Sequence, residues 1–278
     1  MLGNNNAADA LAHARYSLPA QHTQRRFTVA DLMRTSNPAL NARAFQGEGV
    51  GLGEAMTLQG TVNKTGVLLL CVIATAAWTW NIYTHSQNPQ AVLPLLAIGG
   101  IGGFIFALVT IFKKTWAPIT APIYALLEGL LLGGISAIYD VRFHGIAIQA
   151  VSLTFGTLAI LLLAYRSGLI PVTEKFRLGV VAATGGIALF YLATIVLGFF
   201  GIHFTTINGS GPIGIAFSGF VVVIAALNLV LDFDFIESGV AAGAPKYMEW
   251  YAAFGLMVTL IWLYLEILRL LSKLRSRD

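Results

Sequence analysis

Seven apolar runs follow one another along this chain, and each has the length of a membrane-crossing helix. They are Gly66–Tyr83, Ala91–Phe112, Ile119–Ile138, Ile146–Tyr165, Leu178–Phe200, Ile213–Leu231 and Trp250–Leu271. An α-helix needs about 20 apolar residues to cross the hydrocarbon core. A transmembrane β-strand would need only ~10 and would alternate in polarity; these runs do neither. With no water to satisfy backbone groups in lipid, a helix is the form such runs must take. The runs therefore predict an all-α polytopic membrane protein, a seven-span helical bundle. Composition agrees: the 278 residues are 56% hydrophobic and 11% charged, where soluble domains carry roughly 25% charged residues. The single cysteine, Cys71, excludes a disulfide framework or a cysteine metal site within one chain.

Residues 1–62 are polar and rich in Asn, Gln, Ala and Gly. They read as a mostly disordered, flexible N-terminal tail ahead of a transmembrane domain over 63–274. A short helix is predicted around Phe27–Met33, capped by Thr28. Met33 opens the segment MRTSNPALN, which reads as a natural start, leaving 1–32 as an extension or an over-called start site. The first 60 residues hold no apolar run of signal-peptide length, so insertion falls to the first span.

The connections between spans are short and carry Pro, Gly or charge, which makes neighbouring helices antiparallel. Lipid gives apolar side chains no reason to associate, so small residues are expected at helix contacts. Gly99, Gly100, Gly102 and Gly103, Gly129 with Gly133 and Gly134, and Gly185 with Gly186 supply them. Lys64, Lys113, Lys114, Arg166, Lys175 and Arg177 lie at alternate span ends, while the 1–2 and 5–6 connections carry no Lys or Arg. That asymmetry places the N-terminus in the cytoplasm. Seven spans then place the C-terminus outside, against the pull of Arg269, Lys273, Arg275 and Arg277. The basic residues read as orientation signals and not as a nucleic-acid surface.

Only 13 residues are Asp or Glu, yet several lie in or at the spans. An ionisable group inside a span costs about 2.5–3.5 kcal/mol on insertion scales and is by default a functional candidate. Glu128 is mid-span, Glu266 lies in the last span, and Asp232 and Asp234 close the sixth. Residues two apart on a helix point ~200° away from each other. Asp232 shares a face with Asn228 and Ala225 and is the candidate for a buried acid, whereas Asp234 groups with Glu237 and Ser238 towards the aqueous rim. Plainer roles stand beside the functional ones. Asp232 and Asp234 could be loop-entry carboxylates, Glu266 an i,i+3 partner of Arg269, and Glu128 a helix bridge with Tyr124 as donor. Glu249, beside Trp250, reads as interfacial. Acids at different depths could form a stepping path for protons or a cation. No P-loop, HExxH or Cys/His cluster is present, and the five histidines lie in the tail or at span ends. No enzyme chemistry and no cofactor are expected.

Four stretches carry a family resemblance: MRTSNPALN at 33–41, GEAMTLQGTVNKTGVLLL at 53–70, APIYALLEGLLLGGIS at 121–136, and NLVLDFDFIESG with KYMEWYAAFGLMVTLIWLYLEILRLL at 228–239 and 246–271. The chain resembles the Bax inhibitor-1/YccA family, in its longer bacterial YccA-like branch. The resemblance implies six helices around a central one, a bacterial inner-membrane location, and a pH-sensitive calcium leak. It also implies an acid at the end of span 6 sharing a proton with one in span 7, since two close carboxylates cannot both ionise cheaply. Asp232 matches the first, and would be a weak, transient calcium ligand as a hard oxygen donor. The second position falls near Thr259, about 10 Å along the helix from Glu266, and the basic latch expected in span 2 has only Lys113 and Lys114 at the span end. The sequence therefore points to a cation leak channel gated by carboxylates, with lipid, calcium or protons as partners. The alternative is a non-conducting regulator that binds another membrane protein, such as a membrane protease.

Overall fold

The structure is a computed structural model and describes residues 55–86, 88–201, 207 and 209–277. The tail over residues 1–54, including the helix expected at Phe27–Met33, lies outside the described residues. Among the described residues, seven helices are long and apolar enough to cross a membrane. In chain order they are α1 (Leu58–Ser86), α2 (Pro89–Phe112), α3 (Ala117–Arg142), α4 (Ile146–Arg166), α5 (Glu174–Phe199), α6 (Pro212–Ala241) and α7 (Met248–Arg275). All seven expected spans are there, and most run on into polar sequence, because a helix need not stop where the hydrocarbon does. α1 thus begins at Leu58, ahead of the boundary expected at residue 63. Just before it, Ala55 pairs with Pro245, and the Met56 amide donates to the Ala244 carbonyl (2.7 Å).

The ends follow local chemistry. Asn88 caps α2 by accepting from the Gln90 amide (2.9 Å), with Pro89 at the first helical position, where its missing N–H costs nothing. Thr173 caps α5 in the same way, through the Phe176 amide at 3.2 Å. α6 does not end at Leu231, where the apolar run stops; it continues ten residues to Ala241, with Phe233, Phe235 and Ile236 extending its buried face. Gly243, at φ 64°, turns the chain back towards α7.

α7 is the central helix. In its most apolar stretch 67% of residues are buried, against 11% for α5. It packs against α6, α1, α4 and α3. α3 makes a second tight unit with α1 and α2. Gly129 and Gly133 lie so close to α1 that a Cβ on either would overlap the backbone of Val72 or Ala76, and a Cβ on Gly99 of α2 would come within 2.6 Å of the Leu127 carbonyl oxygen. These glycines do the packing expected of them. Gly185 and Gly186 of α5 do not: nothing lies within 4 Å of where their Cβ would be. α5 is the outlying helix, and α6 is its main neighbour.

Candidate functional site

The acids of α6 sit inside the helix, not beyond its end. Six consecutive residues, Asn228 to Phe233, are buried. At 100° per residue they cover the whole circumference, so α6 is enclosed on every side at this level. Asp232 lies there, 0% exposed. One turn earlier, Asn228 donates through Nδ2 to the Thr184 hydroxyl of α5 and to the Ile224 carbonyl, both at 2.8 Å. Asp232 is thus a carboxyl group in the protein interior, one helical turn from an amide that reaches α5.

Asp234 is not the open rim carboxylate expected from its face. Its Oδ2 lies 2.6 Å from Nη2 of Arg177, on α5. The Arg177 side chain is 8% exposed and that of Asp234 23%. Glu237, one turn on, is exposed and accepts from the Tyr165 hydroxyl of α4 (2.5 Å). The C-terminal end of α6 is therefore wedged between α4 and α5, and its carboxylates meet the donors those helices bring.

Glu266, at the other end of α7, has the i,i+3 partner the spacing suggested, and a further one. Arg269 Nη1 donates to Glu266 Oε1 at 3.2 Å, while the Tyr191 hydroxyl of α5 donates to the same oxygen at 2.9 Å. Arg269 also donates to the Tyr191 hydroxyl (2.7 Å), closing a triangle. Further along α7, buried Lys273 donates to the carbonyls of Ile207 (2.9 Å) and Gly214 (3.1 Å).

Glu128 differs from all of these. It is half-buried in α3 against Gly103 of α2, whose added Cβ would come within 2.7 Å of Oε1. The bridge expected from Tyr124 does not form, because the Tyr124 ring turns to pack edge-on against Phe254 of α7 (centroids 4.9 Å apart). Among the described residues, no hydrogen bond or ion pair engages the Glu128 carboxyl group.

Sequence reasoning passed over Glu249. It is fully buried, not interfacial. Its Oε1 accepts from both the amide and the hydroxyl of Thr57 (2.8 Å each), its Oε2 pairs with Lys64 of α1, and Lys246 lies 3.4 Å away. Lys64 also lies over the Trp250 ring, 5.6 Å from its centroid. This cluster ties the chain entering α1 to the start of α7. The only signal was an acid beside Trp250 at the start of the seventh span, which by itself reads as an interfacial residue.

The position in α7 where the resemblance places a second acid holds Thr259, a buried residue whose hydroxyl turns back to the Gly255 carbonyl (3.4 Å). Among the described residues, no group of three or more His, Cys, Asp or Glu side chains is placed to hold a metal ion.

Six membrane-length helices around a buried seventh, with acids embedded between them, define an integral membrane protein. Residues 20–276 match the family described as Bax inhibitor 1 like, and the chain belongs to that family. The match reaches upstream of Met33, into the stretch read from sequence as an extension. No curated protein and no solved structure matches the chain.

Proposed function

We propose that this protein is a cation leak in the bacterial inner membrane, of the YccA-like type, passing calcium or protons when its embedded carboxylates are protonated. The observation that supports this reading is the way α5 is held. Arg177, Thr184 and Tyr191 recur every seven residues, so they share one face of α5. They engage Asp234, Asn228 and Glu266 in turn. Two of the three points of this seam are carboxylates, and buried Asp232 lies one turn from the middle point. Protonating Asp234 removes the charge that holds Arg177, and protonating Glu266 weakens the bond it accepts from the Tyr191 hydroxyl of α5. Acid would loosen α5 at both ends while α1–α3 and α7 stay packed. An outlying helix whose main neighbour is α6 is the element such a change can move.

The same reading sets the N-terminus in the cytoplasm. Lys64, Arg166, Lys175, Arg177 and Lys246 gather at one end of the bundle. Of the cations at the far end that weigh against this, Arg269 and Lys273 bond within the bundle, and Arg275 donates to the His144 carbonyl (2.8 Å).

The test is calcium entry into dye-loaded liposomes carrying the full chain, at pH 6, 7 and 8. Wild type should leak more as pH falls, and Asp232→Asn and Asp234→Asn should flatten that dependence. Folded, inserted protein with no flux above empty liposomes would remove the leak and leave the regulator of another membrane protein. The exposed face of α5 would then be the first place to seek that partner.

A further inference from the structure

At the end of the bundle opposite Glu249, the last turns of α1 and α3 enclose an open cavity of about 460 Å³. This is within the size range of small-ligand sites. Its lining includes Trp80 and Tyr83 from α1, Asp140 and Val141 from α3, and His144 from the turn into α4. The carboxylate is lightly used. Asp140 Oδ1 accepts one long bond from the Ala147 amide (3.4 Å), and among the described residues no Lys or Arg pairs with it. A carboxylate can accept about four hydrogen bonds, so most of its capacity is open to the cavity. Two aromatic side chains beside an open carboxylate are the donor set that recognises an ammonium group, through ring faces and charge together.

Two arginines neighbour residues of this lining. Arg142 directly follows Val141 and is exposed. Arg275 donates through Nη1 to the His144 carbonyl and through Nη2 to Gln149 Oε1, both at 2.8 Å. A ligand suited to this arrangement is cationic at one end and anionic a few bonds away. The depth is also informative. The cavity lies where α1 and α3 end, at the level where Trp and Tyr meet lipid headgroups.

We propose that this cavity binds the headgroup of a zwitterionic phospholipid, with its ammonium against Asp140, Trp80 and Tyr83 and its phosphate towards Arg142 and Arg275. The site is separate from the α5 seam and does not depend on ion conduction. It would fix lipid to the α1–α3 unit, the part of the bundle that the leak reading holds still.

The experiment is native mass spectrometry of the full chain equilibrated in mixed micelles with equal phosphatidylethanolamine and phosphatidylglycerol. The expected result is roughly fivefold or greater retention of the ethanolamine lipid, the size of effect a cation–aromatic contact of ~1 kcal/mol gives. Asp140→Asn should abolish the preference, and Trp80→Leu should reduce it; the second variant decides the matter if the first does not fold. Equal retention of the two lipids, or a preference unchanged in a folded Asp140→Asn protein, overturns the proposal. So does protection against thermal unfolding by soluble O-phosphoethanolamine without lipid enrichment, which would assign the cavity to a free amine.

Discussion

Arg177 Nη2 of α5 meets Asp234 Oδ2 of α6 at 2.6 Å, and this ion pair anchors one end of the outlying helix of the bundle. Apolar burial cannot bind helices to each other in lipid as it does in water. An outlying helix must therefore be fixed by close packing or by polar contacts. α5 has the first on one face only, where Ile187 packs with Val221 and Ile224 of α6 and Phe190 meets Phe217, with open space around Gly179, Gly185 and Gly186. It has the second at three depths.

Removing either partner of this pair should loosen α5. Loss of one member of a buried ion pair costs about 3–5 kcal/mol, and the partial exposure of Asp234 brings the expectation down to roughly 1–3 kcal/mol. Arg177→Met should lower the unfolding temperature in detergent and raise hydrogen exchange along α5. The reversed pair, Arg177→Asp with Asp234→Arg, should recover part of the loss. Equal stability of wild type and Arg177→Met would mean the seam does not hold the helix.

Glu249→Ala should be costly, because it leaves the Thr57 donors and Lys64 without their acceptor. Each hydrogen bond to a charged group contributes about 1.5–3 kcal/mol, and lost partners add desolvation. The measurement is limited proteolysis within residues 55–64 alongside thermal unfolding. Cleavage there should rise at least severalfold, with Glu249→Gln intermediate because an amide oxygen can still accept from Thr57.

The glycines separate into two classes that one pair of substitutions can test. Gly129→Val places side-chain atoms into Thr75 and the Val72 backbone, and should prevent folding or cost several kcal/mol. Gly185→Ala meets nothing within 4 Å. It should be neutral or slightly stabilising, since Ala is favoured over Gly in a helix by about 1 kcal/mol. Yield of monodisperse protein and unfolding temperature in one detergent read both.

The seven spans were legible because span length is dictated by bilayer thickness, and the chain's apolar runs match it. Gly129 and Gly133 were legible as contact residues for the same kind of reason: close helix approach needs small side chains. The partners of the acids were not. Helical periodicity separates Asp232 from Asp234 by face, but it cannot say that the Asp234 face meets Arg177, 57 positions earlier in the chain. Glu249 was misread because an acid beside Trp250 at a span end has an adequate local explanation, while its partners Thr57, just before α1, and Lys64, within it, lie far away in sequence. Glycine pairs in both α3 and α5 likewise hid that one helix is packed at its glycines and the other open there. Periodicity gives a residue's direction, and only the tertiary arrangement gives what stands there.

Glu128 and Glu266 offer the clearest division between architecture and ion handling. Glu266 bonds to Tyr191 and Arg269, whereas among the described residues Glu128 bonds to nothing. Glu266→Gln should therefore reduce stability by about 1–2 kcal/mol, as expected for losing charge-assisted bonds at a half-open site. Glu128→Gln has no bond to lose and removes an ionisable group whose insertion costs about 2.5–3.5 kcal/mol at mid-span. Its unfolding temperature should hold or rise. If Glu128 is a step on the ion path, calcium entry into liposomes should nevertheless fall several-fold in Glu128→Gln, so that flux is lost without any loss of stability. Unchanged flux in that variant would take Glu128 off the path and confine the carboxylate gate to Asp232, Asp234 and Glu266.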